Sequence, residues 1–238
     1  MSIYSKPQKC IATVSEKIQL TKTTYLAKYK LNTPESISFI AGQTIMISVA
    51  PGVHRAMSIA SPPQETDVIT SIQDVAPGGP GSKWMEYLKV GDTLEFTGPL
   101  GRFVIDHAST RKQVLVATGT GIAPFRSMLL DKTNGASTCE PMSLYWGLRH
   151  KEDIYLYDEI KHLDEEREQM EFFLTLSQPP DDWDGLRGYV NGHVIEHEKD
   201  LSGCDFYLCG NKHMIMDMQK ALSGKGIPRS QMKFDPFY

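Results

Sequence analysis

The chain is 238 residues long, 40% hydrophobic and 23% charged, with a net charge of −4. That length buries a real core, either as one large domain or as two of about 100 to 130 residues. Its 25 basic residues, outnumbered by 29 acidic ones, are scattered without a run, which excludes an electrostatic case for nucleic acid or an anionic membrane as partner.

The opening Met1-Ser2-Ile3-Tyr4-Ser5-Lys6-Pro7 lacks the apolar core of a signal peptide. No stretch reaches the roughly 18 apolar residues needed to span a bilayer, so a soluble, cytoplasmic protein is expected. The first hundred residues then read as short strands punctuated by turns. Examples are Thr44-Ile45-Met46-Ile47-Ser48-Val49 after Ala41-Gly42-Gln43, Val68-Ile69-Thr70-Ser71-Ile72, and Thr93-Leu94-Glu95-Phe96 after Gly91-Asp92. Strands spaced in this way predict a small barrel. One helix interrupts them over Lys83 to Leu88, with Ser82 as N-cap and Trp84, Met85 and Leu88 on its apolar side. The barrel domain is expected over residues 1–106, and Asp106 to Lys112 is the natural linker.

From 112 to 238 the rhythm changes to strand, helix, strand, helix, which predicts a parallel sheet covered on both faces. The strands are expected at Gln113 to Ala117, Met142 to Gly147, Phe172 to Ser177 and Asp205 to Cys209. The helices are expected at Pro124 to Asp131, Tyr155 to Glu166 and Asn211 to Leu222, the last closed by Gly224-Lys225-Gly226 and Pro228.

The run Val114-Leu115-Val116-Ala117-Thr118-Gly119-Thr120-Gly121-Ile122-Ala123-Pro124 is the most informative segment. An apolar strand breaks into a glycine turn and then starts a helix, with Pro124 suited to the first helical position. Free N–H groups and the positive end of the helix then face an anion, the arrangement of a pyrophosphate cradle. The cysteines, Cys10, Cys139, Cys204 and Cys209, are too few and too irregular for a disulfide framework. Cys204 and Cys209 give only the first interval of a ferredoxin-type cluster motif, with Lys212 where the third ligand belongs, so no internal cluster is expected. His193 and His197 stand four apart, a spacing a helix could use for zinc. No further ligand pattern accompanies them, and they read as part of a surface helix with no metal.

Four segments in order, Arg55-Ala56-Met57-Ser58, Gly79-Pro80-Gly81-Ser82, Gly98-Pro99-Leu100-Gly101-Arg102-Phe103 and the Gly119–Gly121 turn, resemble the ferredoxin-NADP reductase superfamily over nearly the whole chain. The resemblance implies a six-stranded antiparallel Greek-key barrel that holds FAD, followed by an α/β domain that holds NADH or NADPH. It implies that Arg55 reaches the flavin phosphates, Met57 lies along the ring where relatives carry tyrosine or phenylalanine, and Ser58 stands near N5, with Ala56 in the same segment. Gly79, Gly81 and Ser82 would seat the FAD diphosphate, while Gly98 to Gly101 shapes the chain leaving the barrel.

In the second domain the resemblance places the nucleotide pyrophosphate on Thr118, Gly119, Thr120 and Gly121, with a further contact from Cys209-Gly210-Asn211, where Cys209 lies beside the nicotinamide. The ending Phe234-Asp235-Pro236-Phe237-Tyr238 resembles family termini in which a carboxylate, here Asp235, lies near N5 and an aromatic, Phe237 or Tyr238, covers the flavin. Relatives that prefer NADPH commonly carry an arginine after the serine of the segment matching Leu176-Ser177-Gln178; the neutral Gln178 favours NADH, with Arg149 able to compensate.

The function implied is an FAD-dependent oxidoreductase that takes hydride from NAD(P)H. It would pass electrons to a separate ferredoxin, flavodoxin or oxygenase component, in the manner of stand-alone reductases without a ferredoxin domain. The alternative is an NAD(P)H-flavin reductase using free flavin as substrate, which would not need the diphosphate seat at Gly79 to Ser82. A non-catalytic electron-transfer or regulatory subunit is the reading from a different class.

Overall fold

A computed structural model describes residues 5–131 and 141–237. Cys139 and Tyr238 fall outside the described residues. The chain divides into two compact units, Met1–Ile105 with Ala123–Ala136, and Asp106–Ile122 with Ser137–Tyr238.

The first unit is one antiparallel sheet of six strands curled into a half-barrel. Its strands are β1 (Gln8–Gln19), β2 (Thr24–Thr33), β3 (Thr44–Ala50), β4 (Val53–Ser58), β5 (Val68–Asp74) and β6 (Thr93–Leu100), in the order β4-β3-β6-β1-β2-β5. Alternate residues of β1, Cys10, Ala12 and Val14, point inward, where they meet Tyr29, Ile45, Ile47, Ile69 and Phe96 in one apolar cluster. Just past β4, Ala60 N donates to Thr70 O at 2.8 Å, tying the two edges of the curl.

Helix α1 spans Pro80–Tyr87, with Gly79 as N-cap and Pro80 in the first turn. The helix therefore begins earlier than expected, and Ser82 is its third residue rather than its cap. Proline needs no N–H partner at a helix start, so Pro80 sets the boundary and Ser82 turns its hydroxyl back to Asp74 O at 3.4 Å.

Helix α2 (Ile122–Leu130) begins two residues before Pro124. From Ala123 on it groups with the antiparallel unit. Ser127 Oγ donates to Ser61 O at 2.7 Å, and Arg126 Nη1 donates to Ala60 O at 2.8 Å. Side-chain bonds of this kind to distant carbonyls have no local signature in sequence.

The second unit is a parallel sheet of β7 (Lys112–Thr118), β8 (Met142–Leu148), β9 (Met170–Leu176), β10 (Leu186–Arg187), β11 (Cys204–Asn211) and β12 (Met232–Phe237), ordered β10-β9-β8-β7-β11-β12. Near-continuous burial of Gln113 to Ala117 and of Cys204 to Gly210 is what a sheet covered on both faces requires. Helices α3 (Tyr157–Glu166), α4 (Val190–His197) and α5 (Lys212–Gly224) belong to this unit. Asn211 caps α5 as its side chain accepts from His213 N at 2.8 Å. At the other end of the sheet, Lys112 Nζ meets Glu198 at 2.9 Å and Glu171 at 3.0 Å, while Tyr145 OH donates to Glu198 at 2.9 Å. That network fixes the residue following α4 to β7 and β8.

No helix among the described residues is long and apolar enough to cross a membrane.

Candidate functional site

Two constellations stand out, one in each unit. In the first, β4 pairs with β3 so that Arg55 faces Ile47, Met57 faces Ile45 and Ser58 faces Thr44. Arg55 and Ala56 are exposed, whereas Met57 and Ser58 are buried. The Arg55 side chain lies over the first turn of α1, so a Cβ built on Gly81 would stand 3.2 Å from Arg55 Cγ. Gly79, extended at the N-cap, offers no side chain to the free N–H groups of that turn. The stem of Arg55 thus lies on this turn while its Nη1 donates to His54 O at 2.7 Å, and the N–H groups of Gly81 and Ser82 have no side-chain cap, a combination that suits an anion.

Ser58 is 6% exposed, and its Oγ is buried with no hydrogen-bond partner in the structure. An unmet buried hydroxyl costs about 1–3 kcal/mol, so its retention points to a ligand atom. Met57, expected along a ring, is buried in the apolar cluster of the half-barrel. Strand alternation sends its side chain inward.

Gln43, which sequence did not single out, holds the end of β4 in place. Its backbone oxygen accepts from Ile59 N at 3.0 Å, its Oε1 accepts from Ile40 N at 2.9 Å, and its Nε2 donates to Gly101 O at 3.2 Å. The clue available in sequence was Gly42, whose φ of +95° makes Ala41-Gly42-Gln43 a tight turn.

In the second constellation, the ends of β7 and β11 meet backbone to backbone. A Cβ on Gly121 would lie 2.6 Å from Cys209 C and 2.8 Å from Gly210 Cα. Gly210 has φ +126°, and a Cβ there would stand 2.6 Å from Thr118 O. Both positions exclude any other residue. Asn211 N donates to Thr118 Oγ1 at 2.9 Å, and Trp146 Nε1 donates to Gly119 O at 3.0 Å. Trp146 carries no sign of this in sequence, because its partner is a backbone atom in the turn after another strand. The result is a rigid glycine turn, Gly119–Gly121, with Thr120 within it, opening α2.

Cys209 is fully buried, and burial first, the charge of Asp235 second, pushes its thiol well above the usual value. It is a neutral thiol, not a nucleophile. Asp235 is its register neighbour on β12. The C-terminal segment is a parallel strand through Phe237, whose backbone pairs with Asn211. At the C-terminal ends of β8 and β9, Arg149 Nε donates to Gln178 Oε1 at 3.3 Å and Gln178 N donates to Arg149 O at 2.8 Å.

Cys10 and Cys204 are also buried, and burial pushes their thiols to about 11 and about 12. An unfolded thiol ionises near about 8.5. Above that value the unfolded chain binds fewer protons than the native one, so stability falls as pH rises. Denaturation midpoints should be independent of thiol ionisation below about pH 8 and decline above about pH 9 by up to about 1.4 kcal/mol per pH unit for each thiol. Cys204→Ala should flatten the decline; an unaltered slope would remove Cys204 from it.

Comparison with known proteins assigns a family to each half of the chain, and the second match includes α2. Residues 11–105 match the oxidoreductase FAD-binding domain family and residues 115–220 the oxidoreductase NAD-binding domain family. A ferredoxin--NADP reductase B of Sorangium cellulosum is 33% identical over 209 residues, covering 84% of this chain and 85% of that protein. Among solved structures, the cytochrome P450 reductase GcoB of Amycolatopsis superposes with a TM-score of 0.88 at 26% identity, over 97% of this chain and 70% of that one. A ferredoxin reductase in carbazole 1,9a-dioxygenase gives a TM-score of 0.85 at 25% identity, over 98% of this chain and 70% of that one.

Proposed function

We propose that this chain, which belongs to the ferredoxin-NADP reductase family of FAD- and NAD(P)H-dependent oxidoreductases, takes hydride from the nicotinamide nucleotide and delivers electrons to a separate ferredoxin or oxygenase component. The observation that carries the first half is the pairing of an orphaned, buried Ser58 hydroxyl with an anion seat of Arg55 and the α1 N-terminus in one unit. Those residues fit a flavin dinucleotide: the seat suits a diphosphate, and the hydroxyl suits a polar atom of a ring. The acceptor reading is supported by the two solved reductases, one of a cytochrome P450 and one in a dioxygenase.

When bound, the flavin supplies the chemistry of accepting a hydride and releasing its electrons onward. The chain's own residues supply position and charge. Arg55, with the backbone of Gly79, Gly81 and Ser82, neutralises the diphosphate. Ala56 and Met57 carry strand β4, the buried thioether anchoring it from inside, and Ser58 hydrogen-bonds the ring. In the other unit Thr118, Gly119, Thr120, Gly121 and Gly210 shape the nucleotide cradle, while the neutral Cys209 and its neighbour Asp235 face the nicotinamide end.

The test is the visible spectrum of the desalted protein before and after NADH and NADPH in separate anaerobic cuvettes. Retained yellow FAD, bleached by either nucleotide, supports the reading. Colourless protein that turns over only with added flavin supports the flavin-reductase alternative, and retained flavin that neither nucleotide bleaches supports a non-catalytic subunit.

Nucleotide choice is assigned to the Arg149–Gln178 pair. Gln178 is neutral and occupies Arg149 Nε, which favours NADH. Gln178→Arg adds a charge-assisted bond to a 2′-phosphate and should raise kcat/KM for NADPH roughly tenfold while leaving that for NADH within about twofold. Steady-state kinetics with both nucleotides checks this.

A further inference from the structure

We infer that helix α4 carries a site for one divalent cation of the imidazole-seeking class, with Zn2+ as the representative ion, built from His193, Glu196 and His197. The three stand at i, i+3 and i+4 on one helix, and their donor atoms all lie within 4.8 Å of one another. The two imidazole rings are 5.7 Å apart, tilted by 47°. Zinc–nitrogen bonds of about 2.0–2.1 Å are then reached by side-chain adjustments on the order of an ångström.

Two observations separate this cluster from an ordinary exposed one. His193 Nε2 lies 2.9 Å from Arg187 O. A carbonyl can only accept, so Nε2 holds the proton and Nδ1 keeps the lone pair, the orientation that backbone carbonyls impose on metal-binding histidines. His197 Nδ1 is buried with no hydrogen-bond partner in the structure. Its ring packs beside the stacked pair of Phe173, at 5.0 Å, and Tyr145, at 6.1 Å, so it is placed in advance. The neighbouring Arg187 Nη2 is committed to the carbonyls of Pro180, Asp181 and Trp183.

Two imidazoles and one carboxylate select Zn2+, Ni2+ or Cu2+ over Mg2+ and Ca2+, which seek oxygen. With three protein ligands, water completes the coordination and the ion exchanges freely. The site lies wholly within the second unit and does not rest on the flavin or nucleotide assignments.

The test is equilibrium dialysis of the full chain against zinc chloride, with thermal melts run in parallel. Wild type should retain one equivalent, and zinc should raise its melting midpoint. Glu196→Gln and the double variant His193→Gln/Glu196→Gln should each weaken binding about tenfold or more, and the double variant should lose the zinc-dependent shift. His162→Gln, which breaks the separate His162–Glu166 pair, should leave both unchanged. Glu196 is exposed, so its replacement separates loss of the ligand from loss of the fold. The proposal is overturned if wild type retains no zinc, if both variants bind as wild type does, or if His162→Gln abolishes binding.

Discussion

Gly121→Ala is expected to lower the melting midpoint by roughly 6–12 °C and to raise KM for the nicotinamide nucleotide at least about tenfold. The new methyl would overlap the backbone carbonyl of Cys209, with Cys209 C at 2.6 Å and Gly210 Cα at 2.8 Å. Backbone cannot rotate away as a flexible side chain does, so β7 and β11 must separate where their last residues pair, Cys209 with Ala117. Overpacking of that kind costs about 3 kcal/mol or more. The same separation disturbs the Asn211 N to Thr118 Oγ1 bond, and with it the turn proposed to receive the pyrophosphate.

Gly119→Ala is the control. Nothing lies within 4 Å of a Cβ there, and only the φ of +53° is strained, at a cost of about 1–2 kcal/mol. A calorimetric scan and nucleotide titration on both variants separate the effects. Equal losses at 119 and 121 would mean that the close approach of the two strands at Gly121 adds nothing to the left-handed strain at Gly119.

The contrast between those two glycines shows what sequence could and could not reveal. The strand, turn and helix around Gly119–Gly121 were legible because an apolar run followed by glycines is a local pattern. That Gly121 exists for a carbonyl eighty-odd positions downstream was not, since no local pattern encodes a contact between distant strand ends. The same limit explains β12: Met232–Phe237 is short, interrupted by Pro236, and becomes a strand only because β11 offers it a parallel edge. The irregular register of β1 and β2 at Ile11/Ala12 and Val14/Glu16 likewise arises from pairing across the sheet and leaves no mark in either strand's own sequence.

On α4 the spacing of His193 and His197 was visible. Glu196 became a third donor only once the segment was shown to be helical, because only a helix brings i+3 and i+4 to the same face. On α4 the helical period gave the face its donors, whereas for Gly121 and β12 the partner across the sheet gave the residue its task.

Ser58→Ala provides the sharpest division between stability and function. The hydroxyl it removes is buried and unpartnered, so the apoprotein should be unchanged or more stable by up to about 1 kcal/mol. A residue retained only for packing would show the opposite sign, because deleting a snug side chain leaves a void. If Ser58 bonds the flavin ring as proposed, the same change removes that bond in the flavin-loaded protein. If that bond strengthens as hydride arrives, flavin reduction at saturating nucleotide should slow by about 10- to 100-fold, or about 1.4–2.7 kcal/mol of barrier. Stopped-flow bleaching of the flavin measures the rate, and an apoprotein melt measures the stability. A slower rate with undiminished stability assigns Ser58 to the reacting centre. An unchanged rate would falsify that assignment and leave the buried hydroxyl as a site for bound water.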